Sequence, residues 1–325
     1  MMTEPDENSD AQLDTYRKRN TERLRRDLGD EIMGALNDAK TTDILVNADG
    51  KIWLKRLGEP SRVIGRIEPW RATSAMKTLA GLLGKTISGR QPILDGELPF
   101  RGERFAGQLP PVVSAPCFAI RKKAIKVFPL DAYVEQGIMT QAQCDTIKKA
   151  VQDHKNILVV GGTGSGKTTL INAIIQAMVD FDPNERIFII EDTGEIQCVA
   201  VNCVQYHTTE EVDMTGLLRT TLRMLPDRII VGEVRGGEAL DLLDSWNTGH
   251  DGGAGTLHAN DVDSALSRFR SLVTRNKDAP SDIEPLIAEA VNVIVHIRRT
   301  PEGRKVEGII EILGYENGKY ITNAI

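Results

Sequence analysis

The chain has 325 residues, 41% of them hydrophobic and 26% charged, and its 40 Lys and Arg against 46 Asp and Glu leave a net charge of −6. At about 150 residues per domain this predicts two domains with enough apolar content for real cores. The acidic balance argues against a protein whose whole surface binds nucleic acid, and leaves direct DNA binding open only for a local basic face. Apolar runs such as Ile157–Val160 and Val291–Val295 are far shorter than the roughly 18–20 residues of a bilayer span. The polar, acidic N-terminus (MMTEPDENSD) has no signal-peptide pattern. Four cysteines do not make a disulfide scaffold, so a cytoplasmic protein without a transmembrane span is expected.

Residues 1–10 are polar and expected to form a disordered tail. From Leu13 to Ala39 the spacing predicts one helix, with Leu24, Leu28, Ile32 and Leu36 on one face. Arg17, Lys18, Arg19, Arg23, Arg25 and Arg26 occupy the rest of its first turns. Such a basic amphipathic helix suits packing on its own domain or a neighbouring subunit, or lying on an anionic membrane. Asp43–Asn47 and Lys51–Leu57 read as a hairpin turned at Ala48-Asp49-Gly50. A helix follows over Thr73–Ser88, with Met76, Leu79, Ala80 and Leu83 on one face. Short strands are expected through residues 97–128, broken by Gly102, Gly107, Pro110 and Pro111. Residues 11–128 are thus predicted to form a small mixed α/β domain, and 129–135, with Pro129, a linker.

Over residues 136–325 strand-like runs alternate with helical patterns. The runs are Asn156–Val160, Arg186–Glu191, Val199–Tyr206, Arg228–Val231 and Gly255–Leu257, followed by Val291–Ile297, Lys305–Tyr315 and Tyr320–Ile325. Alternation of this kind predicts a parallel sheet covered by helices.

The motif Gly161-Gly162-Thr163-Gly164-Ser165-Gly166-Lys167-Thr168, followed by Thr169, fits G-x-x-x-x-G-K-[ST]. It follows the apolar strand ending at Val160 and opens a helix with Leu170, Ile171, Ile174, Ile175 and Met178 on one stripe, which is the setting a phosphate loop requires. Glycines let backbone N–H groups converge on phosphate oxygens, and the helix N-terminus adds positive potential. Lys167 is expected to neutralise the β- and γ-phosphates of ATP, and the Thr168 hydroxyl to ligate Mg²⁺. Two further strands end in acid: Ile187–Ile190 delivers Glu191-Asp192-Thr193-Gly194-Glu195, and Arg228–Val231 delivers Gly232-Glu233. Ligands of open α/β sheets sit at the carboxyl ends of strands, so both acidic groups can face the loop. Gly232 stands where an Asp usually supports the metal. Glu191 is therefore expected to assist Mg²⁺ through water, and Glu233 to polarise the attacking water. A third block, Gly249-His250-Asp251-Gly252-Gly253-Ala254-Gly255-Thr256-Leu257-His258-Ala259-Asn260, is glycine-dense and holds two of the five histidines. No Cys or second His stands at zinc-ligand spacing from His258, and Cys198 and Cys203 read as packing residues.

Four ordered blocks, GGTGSGKTT, IIEDTGEIQ, LRTTLRMLPDRIIVGEVRGGEA and TGHDGGAGTLHAN, resemble the secretion, or traffic, ATPases. GEVRGGEA and the short His block are most similar to the type IV secretion ATPases of conjugative DNA transfer, and GERFAGQLPPVV followed by FAIRKK resembles their N-terminal-domain segment. The resemblance implies a small α/β N-terminal domain and a RecA-like P-loop NTPase C-terminal domain. It makes Gly161 to Thr168 the Walker A loop, places Glu191 in the acidic box, makes Glu233 the Walker B glutamate and makes His258 a γ-phosphate sensor. Arg104 and Arg121 would reach towards the nucleotide to offset charge on the transferred phosphoryl group, and Arg235 is a weaker candidate at a subunit boundary. It further implies ATP hydrolysis coupled to domain movement, a homo-hexamer, and inner-membrane secretion-channel components as partners, with the protein peripheral at that membrane. A pilus assembly or retraction ATPase and a RecA-like nucleic-acid motor are the alternatives.

Overall fold

A computed structural model describes residues 7–56, 59–122, 127–209 and 211–325. The chain divides into two units, Met1–Ile125 and Lys126–Ile325. In the first, helix α1 (Glu7–Leu28) begins inside the segment expected to be a tail, whose residues 1–6 lie outside the described residues. The single helix expected to reach Ala39 is interrupted at Gly29, and α2 (Asp30–Asn37) follows. Gly29 has φ 84°, a left-handed conformation that ends the helix and favours glycine. The apolar stripe nevertheless runs across the break, since Leu24, Leu28, Ile32 and Leu36 are all buried. Helix α3 (Pro69–Leu82) starts earlier than the spacing suggested, with Pro69 in the first turn where its missing N–H costs nothing. The Ser74 hydroxyl donates to Asp27 Oδ2 at 2.6 Å and the Arg71 guanidinium donates to the Arg26 carbonyl at 2.6 Å. The apolar face of α1 is therefore spent within its own unit, and Arg17, Lys18, Arg19, Arg23, Arg25 and Arg26 stay exposed.

These helices accompany an antiparallel sheet of β1 (Thr41–Val46), β2 (Lys51–Arg56), β3 (Arg62–Arg66), β4 (Ile93–Glu97), β5 (Arg104–Gln108) and β6 (Cys117–Arg121), in the order β3-β2-β1-β6-β5-β4. The edge strand β3 has no buried residue, so it carries none of the alternation by which a strand is recognised in sequence. In β5 and β6 burial does alternate, and Phe105 and Phe118 stack at 5.2 Å in the core.

In the second unit the expected linker at 129–135 is largely helix α4 (Leu130–Glu135), capped by Pro129. Its Leu130 and Tyr133 are buried in the unit's core, so this segment is packed structure. Helix α5 (Gln141–Gln152) opens with a capping box between Thr140 and Gln143. There follow β7 (Ile157–Val160), α6 (Lys167–Phe181), β8 (Ile187–Glu191), β9 (Cys203–His207), α7 (Met214–Thr221), β10 (Arg228–Val234), α8 (Glu238–Asn247), β11 (Ala254–Leu257), α9 (Val262–Val273), α10 (Glu284–Ala290), β12 (Val293–Thr300), β13 (Gly303–Glu316) and β14 (Lys319–Ala324). The sheet order is β14-β13-β12-β7-β11-β10-β8-β9, parallel from β12 to β9, with β13 and β14 antiparallel. Every residue of β7, β8 and β11 is buried, as strands covered on both faces require. Of the run Val199–Tyr206 only the part from Cys203 pairs as a strand.

The amino ends of these strands are tied together by Arg228, which is fully buried. Its guanidinium donates to both carboxylate oxygens of Glu185, to the Gly252 carbonyl at 3.0 Å and to the Val151 carbonyl at 3.1 Å. Removing one member of a buried ion pair strands the other's charge away from water. Glu185→Ala is expected to cost ~3–5 kcal/mol of unfolding free energy, read from urea denaturation. A loss under ~1 kcal/mol would show that the carbonyls alone satisfy Arg228.

Candidate nucleotide site

Four adjacent strands, β7, β11, β10 and β8, end at the same edge of the sheet and deliver the residues singled out above. After β7 the chain turns through Gly161, where a Cβ would lie 2.2 Å from the Ile297 carbonyl oxygen, so only glycine fits. Gly166 caps α6 in a left-handed conformation, φ 105°, and the helix begins at Lys167. Gly162, Thr163 and Gly164 are exposed, while Thr168 and Thr169 are half-buried in the first turn of α6. Ser165 is buried and, among the described residues, its hydroxyl has no hydrogen-bond partner. A buried orphan hydroxyl inside a loop at a helix N-terminus fits an oxyanion ligand, which would complete its bonding.

Lys167 is buried, and its ammonium donates to the Gly161 carbonyl at 2.9 Å and the Gly162 carbonyl at 3.1 Å. It also lies 3.3 Å from His258 Nδ1. An ammonium has only protons to offer, so Nδ1 accepts and the ring proton sits on Nε2. Nε2 in turn meets Glu233 Oε1 at 2.8 Å. Burial, with the Lys167 charge, pushes the His258 pKa down, which agrees with a neutral ring in this tautomer. Burial also lowers the Lys167 pKa, partly offset by Glu233.

Glu233 reaches this position through an irregularity in β10. Its pairing with β11 shifts between Val231 and Val234, and Gly232 and Glu233 lie in the shift. Such bulges re-aim a side chain at a strand end. Burial pushes the Glu233 carboxyl up, but the Arg235 hydrogen bond and charge, with His258 and Lys167, outweigh it and hold the pKa below the usual carboxylate value. Thr256, buried on β11, donates to the Gly232 carbonyl at 2.6 Å and steadies the same turn.

Glu191 ends β8 and is buried. Its Oε1 accepts the backbone N–H groups of Glu195 at 3.1 Å and Ile196 at 3.0 Å. Its side chain passes over Gly232, where a Cβ would come within 2.8 Å of Glu191 Cγ. This gives a steric reason for the glycine where an Asp was expected: the space is filled by the neighbouring strand's glutamate. Asp192, to which the sequence assigned no role, bonds Arg235 at 2.8 Å and Thr208 at 3.0 Å.

Arg104 and Arg121 belong to the first unit, where they are register partners on β5 and β6. Two cations directly opposite each other repel. Arg121 is also opposite Asp43 on β1 and pairs with it at 2.9 Å, and Arg104 is opposite Glu97 on β4. Acids therefore flank the arginine pair on both sides of the row. A separate open depression of about 530 Å³, lined by His154, Asp182, Glu185, Asp227 and Asp251 among others, lies at the amino ends of the strands. Ligands of such sheets bind at the opposite, carboxyl end.

Residues 27–311 match the family model described as type II/IV secretion system protein. The chain is 46% identical over 298 residues to the probable conjugal transfer protein TrbB of Sinorhizobium fredii, covering 92% of this chain and 91% of that protein. It is 32% identical over 292 residues to the type IV secretion system protein PtlH of Bordetella pertussis, covering 79% and 85%. The solved structure of the Legionella pneumophila ATPase DotB has the same fold, with a TM-score of 0.63 at 20% identity over 88% of this chain and 80% of that one. A phosphate loop, two acidic strand ends and a histidine gathered on four adjacent strands accompany this similarity, and the chain belongs to the type II/IV secretion system protein family, as one of its traffic ATPases.

Proposed function

We propose that the chain is an ATP-hydrolysing motor of type IV secretion and conjugative transfer, working on the sites of its second unit. The observation that carries this reading is the hydrogen-bonded path from Lys167 through His258 to Glu233. It links the cation that would meet the β- and γ-phosphates to the carboxylate that would accept the water's proton. On binding ATP, Lys167 exchanges the Gly161 and Gly162 carbonyls for phosphate oxygens. His258 then senses whether the Lys167 ammonium and a γ-phosphate are in place, because its ring joins that end of the path to Glu233. Glu233, kept ionised by its surroundings, acts as general base. Mg²⁺, when bound, supplies charge neutralisation and orientation of phosphate oxygens. The Thr168 hydroxyl would be its direct protein ligand, and Glu191, whose Oε1 holds the backbone N–H groups of Glu195 and Ile196, would assist through water. Gly161, Gly162, Thr163, Gly164, Ser165, Gly166 and Thr169 form the rest of the cradle. We further propose Arg104 and Arg121 as residues that would offset phosphoryl charge.

Loss of the γ-phosphate would remove a ligand contact, and a difference in ligand contacts between two conformations is what drives nucleotide-dependent domain movement. Among the described residues no helix is long and apolar enough to cross a membrane. The motor works as a homo-hexamer in the cytoplasm, held at the inner membrane by secretion-channel components. Steady-state ATPase assays, with native mass measured with and without nucleotide, test the reading. Multiple turnover by a hexamer without DNA is expected. A nucleotide-binding protein with no turnover would refute it, and turnover only with single-stranded DNA would favour the nucleic-acid motor.

A further inference from the structure

The structure assigns Arg235 a positioning role: its guanidinium bridges the two acidic strand ends and orients Glu233 for proton transfer. This rests on the ATPase reading above. One guanidinium nitrogen donates to Glu233 Oε2 at 2.6 Å and the other to Asp192 Oδ2 at 2.8 Å. The planar fork of arginine suits two carboxylates at once, which a single ammonium does not. The rest of the residue is anchored too. Its N–H donates to Glu238 Oε1 at 2.6 Å, and its carbonyl accepts from the Arg275 guanidinium at 3.0 Å. Asp192 is itself held by the Thr208 hydroxyl at 3.0 Å.

The consequence is geometric. Glu233 has two oxygens, and Oε1 is taken by His258 while Oε2 is taken by Arg235. Both torsional freedom and protonation state of the carboxylate are thereby set, one side by the phosphate-loop path and the other by the acidic-box loop. The groups that face it are Lys167 from α6, His258 from the segment after β11, Arg235 from its own segment, and beyond Arg235 the carboxylates of Asp192 and Glu195. Arg235 is half-exposed, so its ion pairs contribute little to folding stability, and its removal reads out in turnover.

The test is the pH dependence of kcat in wild-type protein, Arg235→Ala and Arg235→Lys, with KM for ATP measured alongside. In Arg235→Ala kcat is expected to fall about tenfold or more, with KM within about twofold, because the phosphate cradle is untouched. Its acid limb is expected to move to higher pH, since the hydrogen bond and charge that held the Glu233 carboxyl down are gone. Arg235→Lys keeps a cation but loses the fork. Its acid limb should stay near wild type while kcat still falls, which separates charge from orientation. Wild-type kcat and an unmoved acid limb in Arg235→Ala would overturn the assignment. Should that variant not fold, wild-type kcat in Arg235→Lys overturns it equally. Absence of turnover in the wild-type protein would instead overturn the ATPase reading itself.

Discussion

Lys167→Ala is expected to reduce ATP turnover to background. The ammonium is buried at the start of α6 with two loop carbonyls and a histidine nitrogen as its partners. Phosphate oxygens gain from a cation in such a desolvated place far more than from one in water. Its deletion also removes the donor that fixes the His258 tautomer, so the ring's Nε2 proton would no longer be directed at Glu233. Two functions are lost with one side chain, and a fall of at least ~10³-fold in kcat/KM is expected. The fold should survive, because the loop's shape is set by Gly161 and Gly166. Nucleotide affinity by fluorescence titration and turnover by phosphate release check the two losses separately. Residual turnover above about a tenth of wild type would place the phosphate-neutralising charge elsewhere.

Glu233→Gln is expected to abolish hydrolysis while sparing ATP binding. The amide keeps the shape of the side chain and can still meet His258 through its oxygen, but it cannot take a proton from water. One bond changes sign: the glutamine nitrogen would face either the Arg235 guanidinium or His258 Nε2–H, both donors, and one pairing is lost. A fall of ~10²–10⁴-fold in kcat is expected with ATP affinity within about threefold of wild type. Single-turnover assays with excess enzyme test whether chemistry is the step that fails. Turnover at the wild-type rate would remove Glu233 as base and leave Glu191 as the acidic alternative at the neighbouring strand end.

The phosphate loop could be recognised in the chain because its constraint is local. Glycines, a lysine and a hydroxyl at fixed spacing between an apolar strand and a helix carry the chemistry within eight residues. The two acidic strand ends and the histidine block could each be found, but not their order around the site. That order comes from the sheet, where β11, drawn from residues 254–257, inserts between β7 and β10 and brings His258 between Lys167 and Glu233. Gly232 shows the same limit at one residue. In the sequence it is a departure from the usual aspartate, and only the neighbouring strand reveals that Glu191 occupies the space. Arg235 stood in the sequence only as a weaker candidate at a subunit boundary, whereas its two carboxylate partners come from the ends of different strands, Asp192 after β8 and Glu233 in β10.

Elsewhere the misreadings have backbone causes. The apolar spacing of the first helix continues unbroken across Gly29, so periodicity extended it through a residue whose left-handed φ divides it. The segment 129–135 looked like a linker because proline usually punctuates, yet Pro129 sits at the helix boundary and Leu130 and Tyr133 turn inward. Composition and local pattern thus determined the class of protein, the alternation of its second half and the phosphate-binding loop, since these depend on neighbours along the chain. The tertiary structure alone decided which acid meets which base, why a glycine stands beside Glu191, and how Arg235 spans two strand ends. Those depend on parallel strands that the chain brings side by side only after long crossovers, and no spacing along the sequence encodes that order.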